Sequence, residues 1–303
     1  MTEAILIAGP TASGKSAAAL ALARALNGTV INADSMQVYR ELSVLTAGPS
    51  SADVVAVPHR LYGTVLAREA YSVGRWLNDA ADAIAEAHAE GRMPILVGGT
   101  GLYFKALLEG LAPVPEIPLE TREQWRKTAA VLAPEGLHRE LASRDPVMAE
   151  RLTPSDLQRV VRALEVIDAT GVSLAEWQGT AGCPVLRRDA TRKLVIAPER
   201  EAVYSAIEVR FDRMLEQGAL QEVEALVALR LDEGLPVMRA HGVRELSAYL
   251  AGSLSLEDAV AKAKTETRRY AKRQMTWLKR FMVDWEWFPD GSGCGLHSRP
   301  RGP

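Results

Sequence analysis

The sequence predicts an α/β fold in which a helical subdomain is inserted into a parallel sheet domain. Short apolar runs alternate with amphipathic helical segments up to residue 112. Three prolines between Pro113 and Pro118 then mark a boundary, and helical periodicity without strands continues beyond them. A further apolar run at 193–198 returns the chain to the sheet. We therefore predict a discontinuous core of residues 1–112 and 191–288, a helical subdomain of residues 113–190 and a disordered tail of residues 289–303.

A phosphate-binding loop follows the first predicted strand, residues 4–8, and precedes an alanine-rich helix. The loop fits the pattern G-x-x-x-x-G-K-[S/T], in which glycines let backbone N–H groups turn toward an anion. Lys15 would reach terminal phosphate oxygens, and the Ser16 hydroxyl would be a ligand for Mg²⁺. The motif leaves open whether the phosphates belong to a nucleotide. The candidate phosphate contacts are Gly9, Pro10, Thr11, Ala12, Ser13, Gly14, Lys15 and Ser16.

Two further predicted strands end in polar loops. The run 29–33 leads to Asp34, and the run 94–97 leads to a Gly-Gly-Thr-Gly turn that contains Thr100. Because the carboxyl ends of parallel strands line one crevice, both loops should face the phosphate loop. Asp34 is a candidate Mg²⁺ ligand, a candidate general base or a capping residue, and the glycines of the turn would allow a ligand to approach the backbone.

Later segments are helical, with two functional candidates. A helix beginning at 153–156 and ending at Gly171 is predicted to direct Gln158, Arg159 and Arg162 toward solvent or a cleft. Its predicted buried stripe is Leu157, Val160, Val161, Leu164 and Ile167. The stretch 262–280 carries eight cations and one acid, Glu266, interleaved with Tyr270 and Trp277, a pattern suited to a polyanion backbone. The eight cations are Lys262, Lys264, Arg268, Arg269, Lys272, Arg273, Lys279 and Arg280.

Composition excludes several classes of protein. With 48% hydrophobic residues and a net charge of −2, the chain is typical of a folded globular protein and is not basic as a whole. Its two cysteines, Cys183 and Cys294, have no metal-ligand spacing, and His241 is more typical of a structural histidine than of a metal ligand. No apolar run is long enough to span a bilayer and no signal peptide is evident, so we expect a cytoplasmic protein.

Five motifs together resemble the bacterial tRNA dimethylallyltransferases, and the resemblance extends over almost the whole chain. They are GPTASGKS at 9–16, NADSMQVYR at 32–40, VGGTGLY at 97–103, QRVVRALEV at 158–166 and AKRQMTWLK at 271–279. The resemblance implies a P-loop NTPase-like core and transfer of a dimethylallyl group from dimethylallyl diphosphate to N6 of adenosine 37. The acceptors would be tRNAs that read codons beginning with U. It also implies Mg²⁺ as cofactor and the anticodon stem-loop as partner. Nothing in the sequence suggests an assembly, so we expect a monomer.

The resemblance also assigns roles to residues. Asp34 corresponds to the family's general base, Thr100 to a residue at the reacting region, and Lys15 and Arg210 to groups that bind the diphosphate. The target adenine would be flipped out of the anticodon loop into a channel between core and subdomain. Departures from the family pattern are Leu42, Gly48 and Val243. The implied tRNA contacts are Asp34, Ser35, Met36, Gln37, Thr100, Arg122, Gln158, Arg159, Val160, Val161, Arg162 and Arg273.

Three alternatives remain open from the residues. A small-molecule or nucleotide kinase would share the phosphate loop and would use Asp34 toward a hydroxyl acceptor, but it leaves the basic stretch without a role. A non-catalytic RNA-binding module would explain the basic stretch but not Asp34 and Thr100. An adenylate isopentenyltransferase is the nearest enzyme alternative, and the inserted subdomain favours a polymeric acceptor over a free nucleotide.

Overall fold

The computed structural model describes residues 2–291, and its largest feature is a six-stranded sheet of parallel strands. The strand order is β3-β2-β4-β1-β5-β6, with β1 paired between β4 and β5. Ile7 lies opposite Val97 on one side and Leu194 on the other. The strands are β1 Ala4–Ala8, β2 Gly28–Asn32, β3 His59–Arg60, β4 Met93–Gly98, β5 Thr191–Ile196 and β6 Glu286–Phe288.

Thirteen α-helices accompany these strands in residues 2–291. The first, α1, begins at Lys15 directly after the phosphate loop and ends at Leu26, and the left-handed backbone of Asn27 (φ 51°) caps it. The Ser72 side chain caps the start of α3 by accepting the Arg75 N–H. The helices are α1 Lys15–Leu26, α2 Ser51–Ala56, α3 Val73–Ala89, α4 Gly101–Glu109, α5 Leu119–Val131, α6 Pro134–Arg144, α7 Pro146–Arg151, α8 Leu157–Thr170, α9 Leu174–Gly179, α10 Arg200–Glu216, α11 Ala219–Ala228, α12 Val243–Leu250 and α13 Leu256–Phe281.

One face of the sheet packs on α1. Alternate strand residues, Ile5 and Ile7 in β1 and Ile95 and Val97 in β4, join Leu22 of the helix in one buried cluster. The short strands β3 and β6 were not predicted because two or three residues carry too little periodicity for a strand pattern. No helix among the described residues is long and apolar enough to cross a membrane.

The chain divides into two compact units, residues 109–184 and the remainder. The predicted bounds of the helical subdomain were 113 and 190. The difference arises because the N–H groups of Val185 and Leu186 both donate to the Leu107 carbonyl, at 2.9 and 3.0 Å, and because Leu186 is buried. The chain therefore rejoins the sheet unit before β5. Of the predicted tail, residues 292–303 lie outside the described residues.

The 109–184 unit contains α5 to α9 around its own core. That core includes Trp125, Leu137 and Leu141 together with residues of α8. The predicted phase of α8 was partly wrong: Ala163 and Val166 are buried with Val160 and Leu164, whereas Leu157 is 36% exposed. Leu157 is the first residue of the helix, after Asp156, so the apolar stripe is established only in the next turn.

Candidate active site

The phosphate loop joins β1 to α1 in a strained backbone conformation. Gly14 has φ 83° and Ala12, although not a glycine, has φ 61°. A Cβ on Gly9 would lie 2.6 Å from the Ile196 carbonyl oxygen, so only glycine fits there. The loop therefore has one well-defined shape at the N-terminus of α1, where backbone N–H groups and the helix dipole attract anions.

Lys15 is the side chain of the loop best suited to an anion. It is partly buried, and its ammonium donates to the Pro10 carbonyl at 3.1 Å. Burial lowers the pKa of Lys15 to about 8, with the nearby Asp34 carboxylate raising it and the Arg210 guanidinium lowering it further. The Ser13 hydroxyl is buried and has no hydrogen-bond partner among the described residues. The Lys15 cation at the start of α1 therefore indicates a phosphate-binding site, whereas the Ser13 hydroxyl oxygen packs against Gly9, 2.7 Å from where a Cβ on Gly9 would lie.

Arg210 of α10 also reaches this loop. Its Nη2 donates to the Thr11 hydroxyl at 2.6 Å, and its side chain is largely buried. Burial lowers the pKa of Arg210, and Asp34 acts in the opposite direction. The structure thus brings together the two cations, Lys15 and Arg210, that the resemblance assigned to the diphosphate.

Asp34 follows β2 and is held in place by hydrogen bonds. Its carboxylate Oδ1 accepts the Met36 N–H at 2.9 Å, and its own N–H donates to Asn32 Oδ1 at 2.8 Å. Asn32 is fully buried, and its carbonyl accepts the Trp76 indole N–H at 2.9 Å. Because one carboxylate oxygen is occupied by the backbone, Asp34 is presented to the site in a fixed orientation.

Thr100 lies beside the Asp34 loop. Its hydroxyl oxygen accepts the Ser35 N–H at 3.0 Å, and its own N–H donates to the Ala33 carbonyl at 3.3 Å. The glycines around it make room for protein atoms: a Cβ on Gly98 would collide with the Ala33 carbonyl. The sequence interpretation, in which these glycines admit a ligand, therefore gives way to one in which they admit neighbouring residues.

Three tyrosines, of which Tyr103 is buried and Tyr62 and Tyr270 are partly buried, lie within electrostatic reach of Asp34. Burial raises the pKa values of Tyr62, Tyr103 and Tyr270, and the Asp34 charge raises them further. The ring centroids of Tyr103 and Trp76 are 4.0 Å apart and the two rings are stacked. The ring centroids of Tyr270 and His241 are 4.4 Å apart. These phenols stay neutral at physiological pH, so the surroundings of Asp34 combine neutral aromatic rings with the cations Lys15 and Arg210.

The residues that the resemblance assigns to tRNA binding differ in how exposed their side chains are. Gln158 and Arg159 are exposed, whereas the Val160 side chain is fully buried in the core of the 109–184 unit. Arg159 pairs with Asp156 at 3.0 Å, and Arg162 pairs with Glu165 at 3.3 Å. In the same unit, Arg122 Nε is buried without a hydrogen-bond partner among the described residues, and Val161 is partly buried. Val160 therefore has a packing role, and its exposed neighbours are the candidates for contact.

The candidates in the sheet unit also differ. Ser35 and Met36 are partly exposed, but the Gln37 amide donates to the carbonyls of Thr46 and Ala47 and so holds its own loop. Arg273 is exposed on α13 and lies over the Tyr270 ring, 5.8 Å from its centroid.

The basic stretch on α13 has a smaller excess of positive charge than its sequence indicates, because acids of another helix pair with it. Lys264 pairs with Glu208 and Asp212 of α10, and Arg268 pairs with Glu208. These pairs were invisible in the sequence because the acids are more than fifty residues away. The exposed cations of the stretch are Lys262, Arg269, Lys272, Arg273, Lys279 and Arg280.

A Mg²⁺ ion bound at this loop would be coordinated mainly by oxygens of the bound phosphate group. The Ser16 residue is exposed at the start of α1, as the motif requires for a Mg²⁺ ligand. No group of three or more histidine, cysteine, aspartate or glutamate residues suited to a metal occurs in the described part of the chain. This donor set fits Mg²⁺ bound through one hydroxyl, phosphate oxygens and water, and does not fit an all-protein metal cage.

Anion binding should weaken above pH 8. Lys15 attracts the anion only when protonated, and its pKa is about 8 in the unliganded protein. Lys15→Arg stays charged over this range and serves as the reference. The ratio of the dissociation constant for inorganic diphosphate in wild type to that in Lys15→Arg should therefore rise about tenfold per pH unit above pH 8. Calorimetric titrations between pH 7 and 10 measure this ratio. A constant ratio would contradict a role for the Lys15 charge.

Comparison with known proteins shows the family. The model of the IPP transferase family matches residues 37–281, and that of an isopentenyl transferase family matches residues 2–71. The tRNA dimethylallyltransferase of Azorhizobium caulinodans is 53% identical over 282 residues, covering 93% of this chain and 90% of the relative. That of Chelativorans sp. is 51% identical, covering 94% and 98%.

Solved structures give the same result. The tRNA isopentenylpyrophosphate transferase of Bacillus halodurans is 34% identical with a TM-score of 0.67, covering 96% of this chain and 90% of the other. A eukaryotic dimethylallyltransferase acting on tRNA is 30% identical with a TM-score of 0.82, covering 96% and 74%. The predicted P-loop NTPase-like parallel core is confirmed by this likeness together with the observed sheet.

Proposed function

The chain belongs to the IPP transferase family, and on this premise we propose that it prenylates tRNA. The donor is dimethylallyl diphosphate, and the acceptor is N6 of adenosine 37 in tRNAs that read codons beginning with U. The observation that carries this proposal is the partly buried cation pair Lys15 and Arg210 around the phosphate loop, within electrostatic reach of the Asp34 carboxylate. An anion cradle beside a carboxylate suits displacement of diphosphate by a weakly basic amine.

The phosphate loop receives the leaving group. As the bond between the allylic carbon and the diphosphate oxygen breaks, its electron pair moves to the diphosphate. Lys15 and Arg210 stabilise the charge that develops there, and such preorganised groups are worth most in a site shielded from water. Mg²⁺, when bound at Ser16, would neutralise further charge on the same oxygens.

Asp34 receives the proton. The N6 lone pair forms the new bond to the allylic carbon, which makes the amine acidic, and the carboxylate takes one N6 proton. Oδ1 is held by the Met36 N–H, so the other oxygen is the natural acceptor. Thr100, whose hydroxyl is anchored to the Ser35 backbone, fixes the loop that carries Asp34. The neutral aromatic rings of Tyr62, Tyr103 and Tyr270 suit an apolar, transiently cationic prenyl group.

The remaining candidates bind the polynucleotide. Arg122, Gln158, Arg159 and Arg162 would contact the anticodon stem-loop from the 109–184 unit, and Arg273 would contact it from α13. These contacts supply affinity through phosphates, while the flipped adenine is read in the site. We propose that the enzyme acts as a monomer in the cytoplasm, where it meets its tRNA substrates.

The direct test of the acceptor atom is nucleoside analysis. Unmodified tRNA transcript is incubated with the protein, Mg²⁺ and dimethylallyl diphosphate, digested to nucleosides and examined by mass spectrometry. The proposal predicts N6-dimethylallyladenosine from a transcript with adenosine at position 37 and none from one with guanosine there. Modification of both transcripts, or of free adenosine monophosphate in preference to tRNA, would contradict it.

Neutralising Arg159 and Arg162 should weaken tRNA binding. Removing one ion pair with a tRNA phosphate should lower the slope of log affinity against log salt concentration by about 0.7 to 0.9. We expect Arg159→Gln/Arg162→Gln to remove one or two such ion pairs, and therefore to show a smaller slope and a lower affinity at low salt. Filter binding over a salt series measures both quantities.

The sheet unit offers a matched control for this pair. Arg187 and Arg188 have side chains 73% and 44% exposed, against 74% and 40% for Arg159 and Arg162, and each is ion-paired. Arg187→Gln/Arg188→Gln should leave the slope unchanged. Equal slopes in the two double variants would mean that the Arg159 surface is only solvated.

A further inference from the structure

Gln274 is a buried polar residue on a helix that the sequence marks only as basic. Its side chain, 6% exposed, lies on the inner side of α13. Its amide Nε2 donates to the Gly99 carbonyl at 2.9 Å, and its Oε1 accepts the Thr11 N–H at 2.8 Å. Because a backbone N–H only donates and a carbonyl only accepts, the orientation of the amide is fixed by its partners.

These two bonds join the loops that follow β1 and β4. Thr11 belongs to the phosphate loop, where its hydroxyl holds Arg210, and Gly99 precedes Thr100 in the turn that holds the Asp34 loop. A single side chain therefore connects the anion-binding loop to the loop of the proposed base. Gly99 has no side chain, and a Cβ there would collide with the Gln274 amide, so the turn is shaped to admit this residue.

We propose that Gln274 is a positioning residue that holds the phosphate loop in its diphosphate-binding conformation. The inference rests on the proposed function, because it concerns the same anion. The loop needs such support, since Ala12, next to Thr11, has a positive φ that a side chain disfavours. Gln274 bonds the Thr11 N–H from outside the loop, and the Ser13 N–H bonds the Pro10 carbonyl within it at 3.3 Å, so the backbone on both sides of Ala12 is held.

Glutamine meets two requirements at once. The side chain at this position must carry one hydrogen-bond donor and one acceptor, and it must be long enough to reach both Thr11 and Gly99. Methionine has a similar volume but offers neither the donor nor the acceptor. Glutamate has the same length, but when ionised it turns an oxygen rather than a donor toward the Gly99 carbonyl and adds negative charge near the diphosphate. Protonated glutamate recovers the donor.

The test measures binding of inorganic diphosphate with Mg²⁺ by calorimetry, which needs no tRNA and no transfer. We expect Gln274→Met to bind about 10- to 100-fold more weakly than wild type at every pH, as expected for buried backbone groups left unpaired. Gln274→Glu should bind much more weakly at pH 7.5 but approach wild type at pH 5.5. Lys15, with a pKa of about 8, is mainly protonated over this range, and comparison with wild type at each pH removes the effect of its titration.

Thr267 supplies the matched control on the same helix. It is also 6% exposed, and its hydroxyl bonds only within α13, to the Ala263 carbonyl. Thr267→Val should leave diphosphate affinity unchanged, and thermal melting checks that every variant is folded. Wild-type affinity in Gln274→Met, or a pH-independent defect in Gln274→Glu, would overturn the positioning role alone. Failure of wild type to bind diphosphate would overturn the proposed function as well.

Discussion

Replacing Asp34 by asparagine should reduce the rate of prenyl transfer by about 100- to 10,000-fold, the range expected for loss of a positioned base. Asparagine keeps the Oδ1 acceptor that the Met36 N–H uses, so the loop should retain its conformation. What it loses is the ability to take a proton from the amine. Single-turnover transfer from labelled dimethylallyl diphosphate, with saturating tRNA, measures the chemical step.

The comparison for Asp34→Asn is Asp189→Asn, which removes a carboxylate charge from an exposed ion pair with Arg187. This control should react at the wild-type rate. Asp34→Asn should also bind tRNA and diphosphate with affinities near those of wild type. A rate for Asp34→Asn within a few-fold of wild type would remove Asp34 from the mechanism.

Replacing Lys15 by methionine should lower the transfer rate by about 100- to 1,000-fold, comparable to removal of one preorganised group that stabilises transition-state charge. The ammonium is partly buried in the phosphate loop, within electrostatic reach of Arg210, and no other lysine lies in that loop. Its loss leaves Arg210 to face the leaving group alone. The defect should appear in the turnover rate as well as in donor affinity, because the charge on the diphosphate grows as the bond breaks.

Arg24→Met is the control for the lysine substitution. Arg24 is an exposed cation in the last turn of the same helix, α1, so its removal changes net charge equally without touching the loop. It should be fully active. A Lys15→Met enzyme whose defect is confined to donor affinity would show that the lysine binds ground state and transition state equally.

Features that depend on local sequence were predictable. The strand, the phosphate loop and α1 follow one another in a recognisable motif, and Asp34 and Thr100 were placed by the rule that parallel strands end at one edge. The structure adds the Thr100 contact with the Ser35 backbone that joins those two loops. The identity of Arg210 as a diphosphate residue came from family resemblance, because nothing in its helix distinguishes it.

Features that depend on packing between distant segments were not predictable. Gln274 is one uncharged residue in a basic helix, and its role appears only when α13 lies against the loops after β1 and β4. In the same way, Glu208 neutralises part of the basic stretch from another helix. The glycines of the Gly-Gly-Thr-Gly turn indicated a close approach, but the sequence did not show that the approaching groups include Gln274 and Trp277.

The central claim is that the phosphate loop serves a prenyl diphosphate rather than a nucleotide. The most direct measurement incubates the protein and Mg²⁺ with unmodified tRNA and dimethylallyl diphosphate labelled in the prenyl group, beside a parallel reaction with labelled ATP and no prenyl donor. The account predicts label on the tRNA in the first reaction and no phosphate release or transfer in the second. Phosphate released or transferred from ATP, with no prenyl label on the tRNA, would contradict it and favour a kinase.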